Sequence, residues 1–115
     1  MEKFLLILRE DVTRRTAGTP EEWLADIPVM LEWIRFLSDS GNYCGGAPLD
    51  ILGRCVAKEK VTEDYSCGET HGGILGYDVI LAENINQAVS IAQTCPLVMN
   101  GLAVREVRPI VAFTL

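Results

Sequence analysis

Four residues with proton-transfer chemistry fall within one short polar stretch: Asp64, Glu69, Thr70 and His71, with Tyr65 and Cys67 among them. A carboxylate beside an imidazole can hold and release a proton near neutral pH. That makes Asp64, His71 and Glu69 the candidates for general acid–base catalysis, with Tyr65 and Thr70 placed to contact a ligand. The structural alternative has Asp64 closing a turn through its side chain and His71 standing in water. Cys67 is the thiol best placed to react, because His71 nearby can lower its pKa.

A second set is cationic: Arg9, Arg54, Arg105 and Arg108. An arginine on a strand and aimed into a cleft can bind a carboxylate or phosphate through two parallel hydrogen bonds. Arg9 and Arg108 are the candidates for that role. The competing reading is an ion pair, since Glu106 and Arg108 alternate onto one side of the last strand and can bond each other. Tyr43, Tyr65 and Tyr77 can line an apolar pocket with hydroxyls as polar handles, or serve as half-buried packing residues.

Other chemistries lack their residues. The sequence has no P-loop, no dinucleotide fingerprint and no metal motif. Cys44, Cys55, Cys67 and Cys95 form no CxxC pair, and His71 is the sole histidine, so zinc is not expected. The expectation is a protein without a cofactor. The net charge of −6 repels phosphate backbones, and Arg14-Arg15 is the only adjacent basic pair, so nucleic acid is not expected as a partner. No apolar stretch is long enough to cross a bilayer. The run Phe4 to Leu8 is too short for a signal peptide and ends at Arg9-Glu10-Asp11. These features lead us to expect a cytoplasmic location, with the four cysteines reduced and packed as small hydrophobes.

The elements that must position these groups fit one domain over residues 1–115. Lys3 to Arg9 reads as a buried central strand. Thr19, Pro20 and Glu22 carry the signals of a helix start. Trp23, Ile27, Met30, Ile34 and Leu37 then form one helical face, widened by Leu24 and Leu31, and Gly41 stops it. Pro28 lies inside that pattern and predicts a kink or a restart near Asp26. Trp33 lies about 280° around the helix from Trp23 and is expected at an interface. Asn42 to Leu49, with Gly45-Gly46 and Pro48, reads as a turn. Ile51 to Ala57 reads as a strand that turns at Lys58-Glu59 into Lys60 to Thr62. Ile74 to Leu81 is a strand, and Asn84 with Gln87 opens a second helix that ends at Pro96. Leu102 to Val107 is the last strand. Ile110 to Phe113 form an apolar tail expected to pack against something.

The order is β-α-β-β-α-β with an embellishing hairpin, which predicts an α+β, ferredoxin-like sandwich: an antiparallel sheet with two helices on one face. The other face needs a cover, and the same face of a second copy supplies it, so a homodimer is expected.

The N-terminal strand, the start Thr19-Pro20-Glu21-Glu22, the stretch from Asp64 to Gly76-Tyr77, Ala88, Cys95-Pro96 and Glu106-Val107-Arg108-Pro109 together resemble the YCII-related domain family, in its DGPF-type branch, over nearly the whole chain. Asp64 takes the first position of the DGPF motif, which continues here as Tyr65-Ser66-Cys67. Glu69 and Thr70 take the acidic and threonine positions that follow. The resemblance implies a dimeric α+β barrel, a bacterial source, and a small organic ligand bound where the sheet meets its helices or its dimer mate. If the protein is an enzyme, the residues suit isomerase- or lyase-type proton transfer without metal or nucleotide. The alternative is a non-enzymatic regulatory or interaction dimer, which would show no concave pocket and an exposed apolar patch.

Overall fold

The apolar run that opens the chain forms β1 (Glu2–Glu10), in which Phe4, Leu6 and Leu8 alternate onto one buried face. The computed structural model describes residues 1–11, 19, 21, 24–62 and 73–112. Helix α1 (Asp26–Asp39) begins where the sequence allows a restart, so Pro28 sits in its first turn, where the missing N–H leaves no hydrogen bond broken. Gly41 follows with φ 79°. Its N–H bonds to Ser38 O, and Asn42 N–H reaches back to Leu37 O at 2.9 Å, which closes the helix end.

The chain then enters β2 (Tyr43–Pro48), continues through a short hairpin of β3 (Cys55–Val56) and β4 (Val61–Thr62), and reaches β5 (Gly73–Ala82). Helix α2 (Ile85–Gln93) follows, then a single turn α3 (Pro96–Met99) and β6 (Ala103–Pro109). Asn84 caps α2 by accepting from Gln87 N–H at 2.9 Å, while the Gln87 side chain accepts from Glu83 N–H. Both capping residues of this helix start are therefore used, whereas Pro20 and Glu22 of the earlier start lie outside the described residues. Ala88 and Ala92 are buried, so α2 lies close against the sheet. Pro96 ends that helix and also begins α3.

The main sheet has the order β2-β5-β1-β6, and every pair in it is antiparallel. This is an α+β architecture consistent with the ferredoxin-like expectation. The core lies between the helices and one face of this sheet, around Phe4, Leu6, Trp33, Leu37 and Ile80.

Several expectations are corrected. The second strand of the sheet is Tyr43–Pro48, which reads in sequence as a turn, while Ile51 to Ala57 shortens to the two residues Cys55–Val56. The two glycines permit the strand: the register shifts between Tyr43 and Gly45, and Gly45 takes φ 147°. Trp33 is not at an exposed interface. It is buried, and its indole N–H donates to Thr94 Oγ1 at 2.9 Å. Cys55 is disulfide-bonded, against the expectation that all four cysteines are reduced, whereas Cys44 and Cys95 are free thiols. In the tail, Ile110 N–H bonds to Lys3 O, but the Val111 side chain stands exposed. Among the described residues no helix is long and apolar enough to cross a membrane.

Candidate functional site

Strand register brings together two opposite charges that are far apart in sequence. Leu6 of β1 is paired with Asp78 of β5 on one side and Val107 of β6 on the other, and Leu8 is paired with Gly76 and Arg105. Asp78 and Arg105 therefore share the helix-facing side of the sheet, with β1 between them. Two strand spacings separate their backbones, about 9–10 Å, a span that only a long side chain bridges. Arg105 crosses β1, donating from Nη1 to Leu6 O at 3.2 Å on the way, and meets Asp78 Oδ2 through Nη2 at 2.9 Å. Its Cζ lies 5.2 Å from the centroid of the Trp33 ring. Among the described residues its Nε has no hydrogen-bond acceptor, and the aromatic face provides a cation–π contact instead. The side chains are 2% (Arg105) and 8% (Asp78) exposed, so the pair is taken almost fully out of water.

Tyr43, on the edge strand, completes the group by donating its hydroxyl to Asp78 Oδ1 at 2.8 Å. Burial pushes the Asp78 carboxyl above its usual range, offset in part by the Arg105 charge and by the hydrogen bonds from Tyr43 and Arg105. The Tyr43 hydroxyl is pushed well above 10 by burial, then by its hydrogen bond to Asp78 and that residue's charge. Tyr43 thus stays protonated, and its single proton points at Asp78.

These three polar side chains border a cavity of about 570 Å³ between α1 and the sheet. Its walls are largely apolar: Met30, Leu31 and Ile34 from α1, Leu8 from β1, Leu75 from β5 and Leu97 from α3. Ile27 and Leu31 are about half exposed because they wall the cavity instead of filling a core. Ile27, Met30, Leu31 and Ile34 of the helical stripe that the sequence presents as packing are therefore pocket lining. An apolar recess with a few convergent polar groups is the usual form of a small-molecule site.

Gly46 makes room for this group. A Cβ there would collide with Asp78 Oδ1 and with the Tyr77 carbonyl oxygen. Gly46→Ala is expected to displace Asp78 or β2 and to lower stability by about 1–3 kcal/mol. Urea denaturation of the variant checks this, and an unchanged midpoint would show that the strand yields without strain.

Of the residues expected from sequence to form the site, Asp64, Tyr65, Glu69, Thr70 and His71 lie outside the described residues, as does Cys67. Tyr77 borders the cavity, but its pairing with Ile7 turns its side chain to the opposite face of the sheet. Arg9 and Arg108 do not line it. On β1 and β6 they fall on the face opposite Arg105, where Arg9 Nε and Arg108 Nη1 each bond one oxygen of Glu106 at 3.0 Å. That includes the Glu106–Arg108 pairing the alternation predicts. The hydrogen bonds from Arg108 and Arg9 hold the Glu106 carboxyl below its usual range. Sequence reading overlooked Asp78. Its signal was present: one acid inside the run Ile74 to Leu81, where a buried charge requires a partner. Among the described residues no three His, Cys, Asp or Glu side chains gather to hold a metal ion.

The sequence matches no family profile and no curated protein. The fold is similar to that of 5-chloro-2-hydroxyhydroquinone dehydrochlorinase from Burkholderia phenoliruptrix, solved in complex with 2,5-dihydroxybenzoquinone. The match has a TM-score of 0.56 at 15% identity and covers 92% of this chain and 90% of that one. A likeness at that identity speaks to fold.

Proposed function

We propose that this chain is a YCII-like protein that binds a small organic molecule in the cavity between α1 and the sheet, with Asp78 as its acid–base group. One observation carries the reading: a buried Asp78–Arg105 pair with Tyr43, at the edge of a largely apolar cavity. Buried ion pairs are an expensive way to stabilise a core, and a carboxyl raised by burial is suited to exchanging a proton with a ligand. That a similar fold holds 2,5-dihydroxybenzoquinone in the dehydrochlorinase supports a small organic ligand here. Asp64, Glu69 and His71 are the sequence's own candidates for proton transfer, and alanine at Asp64 and His71 tests them in any assay a ligand provides.

The test is a fragment library screened by ligand-observed NMR against the native chain and against Ile34→Trp, which fills the cavity. Fragments that bind the first and not the second are the expected result. Fragments that bind both equally would remove the reading.

A second copy covering the open face of the sheet is part of the same proposal. Ile74, Tyr77 and Val104 are half exposed there, and an apolar face of that kind favours self-association. Alternatively, that face docks another protein and the chain is a non-enzymatic regulator. Sedimentation equilibrium at micromolar concentration separates the cases: a homodimer mass is expected, and a monomer would favour the regulator.

A further inference from the structure

The charges and hydrogen-bond valences around the cavity narrow the ligand class, and this step rests on the cavity being the binding site. Among the described residues, three that line the cavity carry charge: Asp26, Asp78 and Arg105. Arg105 is the only cation among them, and it is committed to Asp78 at 2.9 Å and to Leu6 O. An anionic ligand would enter an apolar recess beside two carboxylates, with the one guanidinium already neutralised. That is unfavourable on both desolvation and charge. A cationic ligand would lose its hydration against Met30, Leu31, Ile34 and Leu97, while the carboxylate at the polar end already has its counterion. Asp26 is only partly buried and stands at the start of α1.

The hydrogen bonds are equally one-sided. The Tyr43 hydroxyl donates its one hydrogen bond to Asp78 Oδ1, so only its lone pairs remain for a ligand. Each Asp78 oxygen accepts one bond, from Tyr43 or from Arg105, and has capacity for a second. The polar end therefore offers acceptors, and a ligand must bring a donor. An ether or ketone in the same place would set lone pairs against lone pairs.

We infer that the cavity takes an uncharged organic molecule, apolar over most of its surface, that presents a hydroxyl group to Asp78 and Tyr43. The hydroxyl donates to a carboxylate oxygen while the apolar body lies against α1. Selectivity then comes from the polar end rejecting molecules that lack a donor, because such molecules leave buried acceptors unpaired.

The test uses four probes on one apolar body: 2-naphthol, 2-methoxynaphthalene, 2-naphthoate and 2-naphthylmethylammonium. Each is titrated calorimetrically into the native full chain, Tyr43→Phe, Asp78→Asn and Ile34→Trp. The naphthol is expected to bind about tenfold or more tightly than the other three, as one hydrogen bond to a buried carboxylate predicts. That preference should shrink in Asp78→Asn, with Tyr43→Phe as the second readout if the first variant folds poorly. All binding should vanish in Ile34→Trp. Tighter binding of the naphthoate or the ammonium, lost in Ile34→Trp, would overturn the ligand class and leave the cavity as the site. Equal binding of naphthol and its methyl ether would do the same. No binding by any probe, or binding untouched by Ile34→Trp, would overturn the cavity reading itself.

Discussion

Asp78→Ala is expected to destabilise the fold by about 3–5 kcal/mol, because it leaves the Arg105 cation buried and uncompensated. Arg105 is 2% exposed at its side chain and cannot swing to water without vacating its place over Trp33. Arg105→Met should cost a similar amount for the converse reason, since Asp78 then keeps only the Tyr43 hydroxyl. The combination Asp78→Leu with Arg105→Met removes both charges and should recover most of the loss. Urea denaturation followed by circular dichroism measures all of these. If the double variant were as unstable as the sum of the singles, the two charges would not be acting as a pair. Acid titration gives an independent check. Burial raises the Asp78 carboxyl above its ordinary 3.8, so the folded chain holds that proton more readily than the unfolded one. Its contribution to stability is full below 3.8 and is lost as pH rises through the raised value. Glu106 has the opposite sign. Its lowered carboxyl stabilises above its ordinary value, and that contribution is lost as pH falls through the lowered one. Asp78→Asn should remove only the first slope and Glu106→Gln only the second.

Trp33→Ala is expected to be comparably severe, at about 3–5 kcal/mol. The indole is buried, it provides the ring beneath Arg105, and its N–H bonds to Thr94 at 2.9 Å. Thr94 closes α2 by donating to Ile91 O, so Trp33 ties α1 to the end of α2. Trp33→Phe separates packing from hydrogen bonding. It keeps a ring under the guanidinium and loses the bond to Thr94, for an expected cost of about 1 kcal/mol. Circular dichroism in urea reads both variants. A loss below 1 kcal/mol for the alanine variant would mean that neighbouring side chains collapse into the space and that the ring is no essential support for Arg105.

The elements with strong periodic or capping signals were legible. The run that becomes β1, the Asn84–Gln87 start of α2 and the restart of α1 near Asp26 all stand in the structure. Strand β2 was not legible. Gly45, Gly46 and Pro48 are turn residues by local preference, and only the pairing with β5 makes that segment extended. Gly46 is there to clear Asp78, a fact about a neighbour that is distant in sequence. The site was hidden for the same reason. Whether Arg105 or Arg108 faces the helices depends on register with β1, and a shift of one residue exchanges them. Ile27, Met30 and Ile34 were correctly read as one face. Sequence does not distinguish a face that fills a core from one that walls a cavity.

The reach of Arg105 across β1 also bears on how the sheet finds its alignment. The backbones of β5 and β6 are not paired with each other, yet a single side chain compares their positions. A β6 that docks one residue out of step turns Arg105 to the opposite face and strands a carboxylate in an apolar interior. Slippage by two residues moves the guanidinium about 7 Å along the strand, beyond contact with Asp78. Ladder hydrogen bonds alone tolerate such shifts, because backbone groups are alike at every step. The ion pair therefore works as a proofreading device for the final strand, penalising misaligned sheets more strongly than it rewards the correct one.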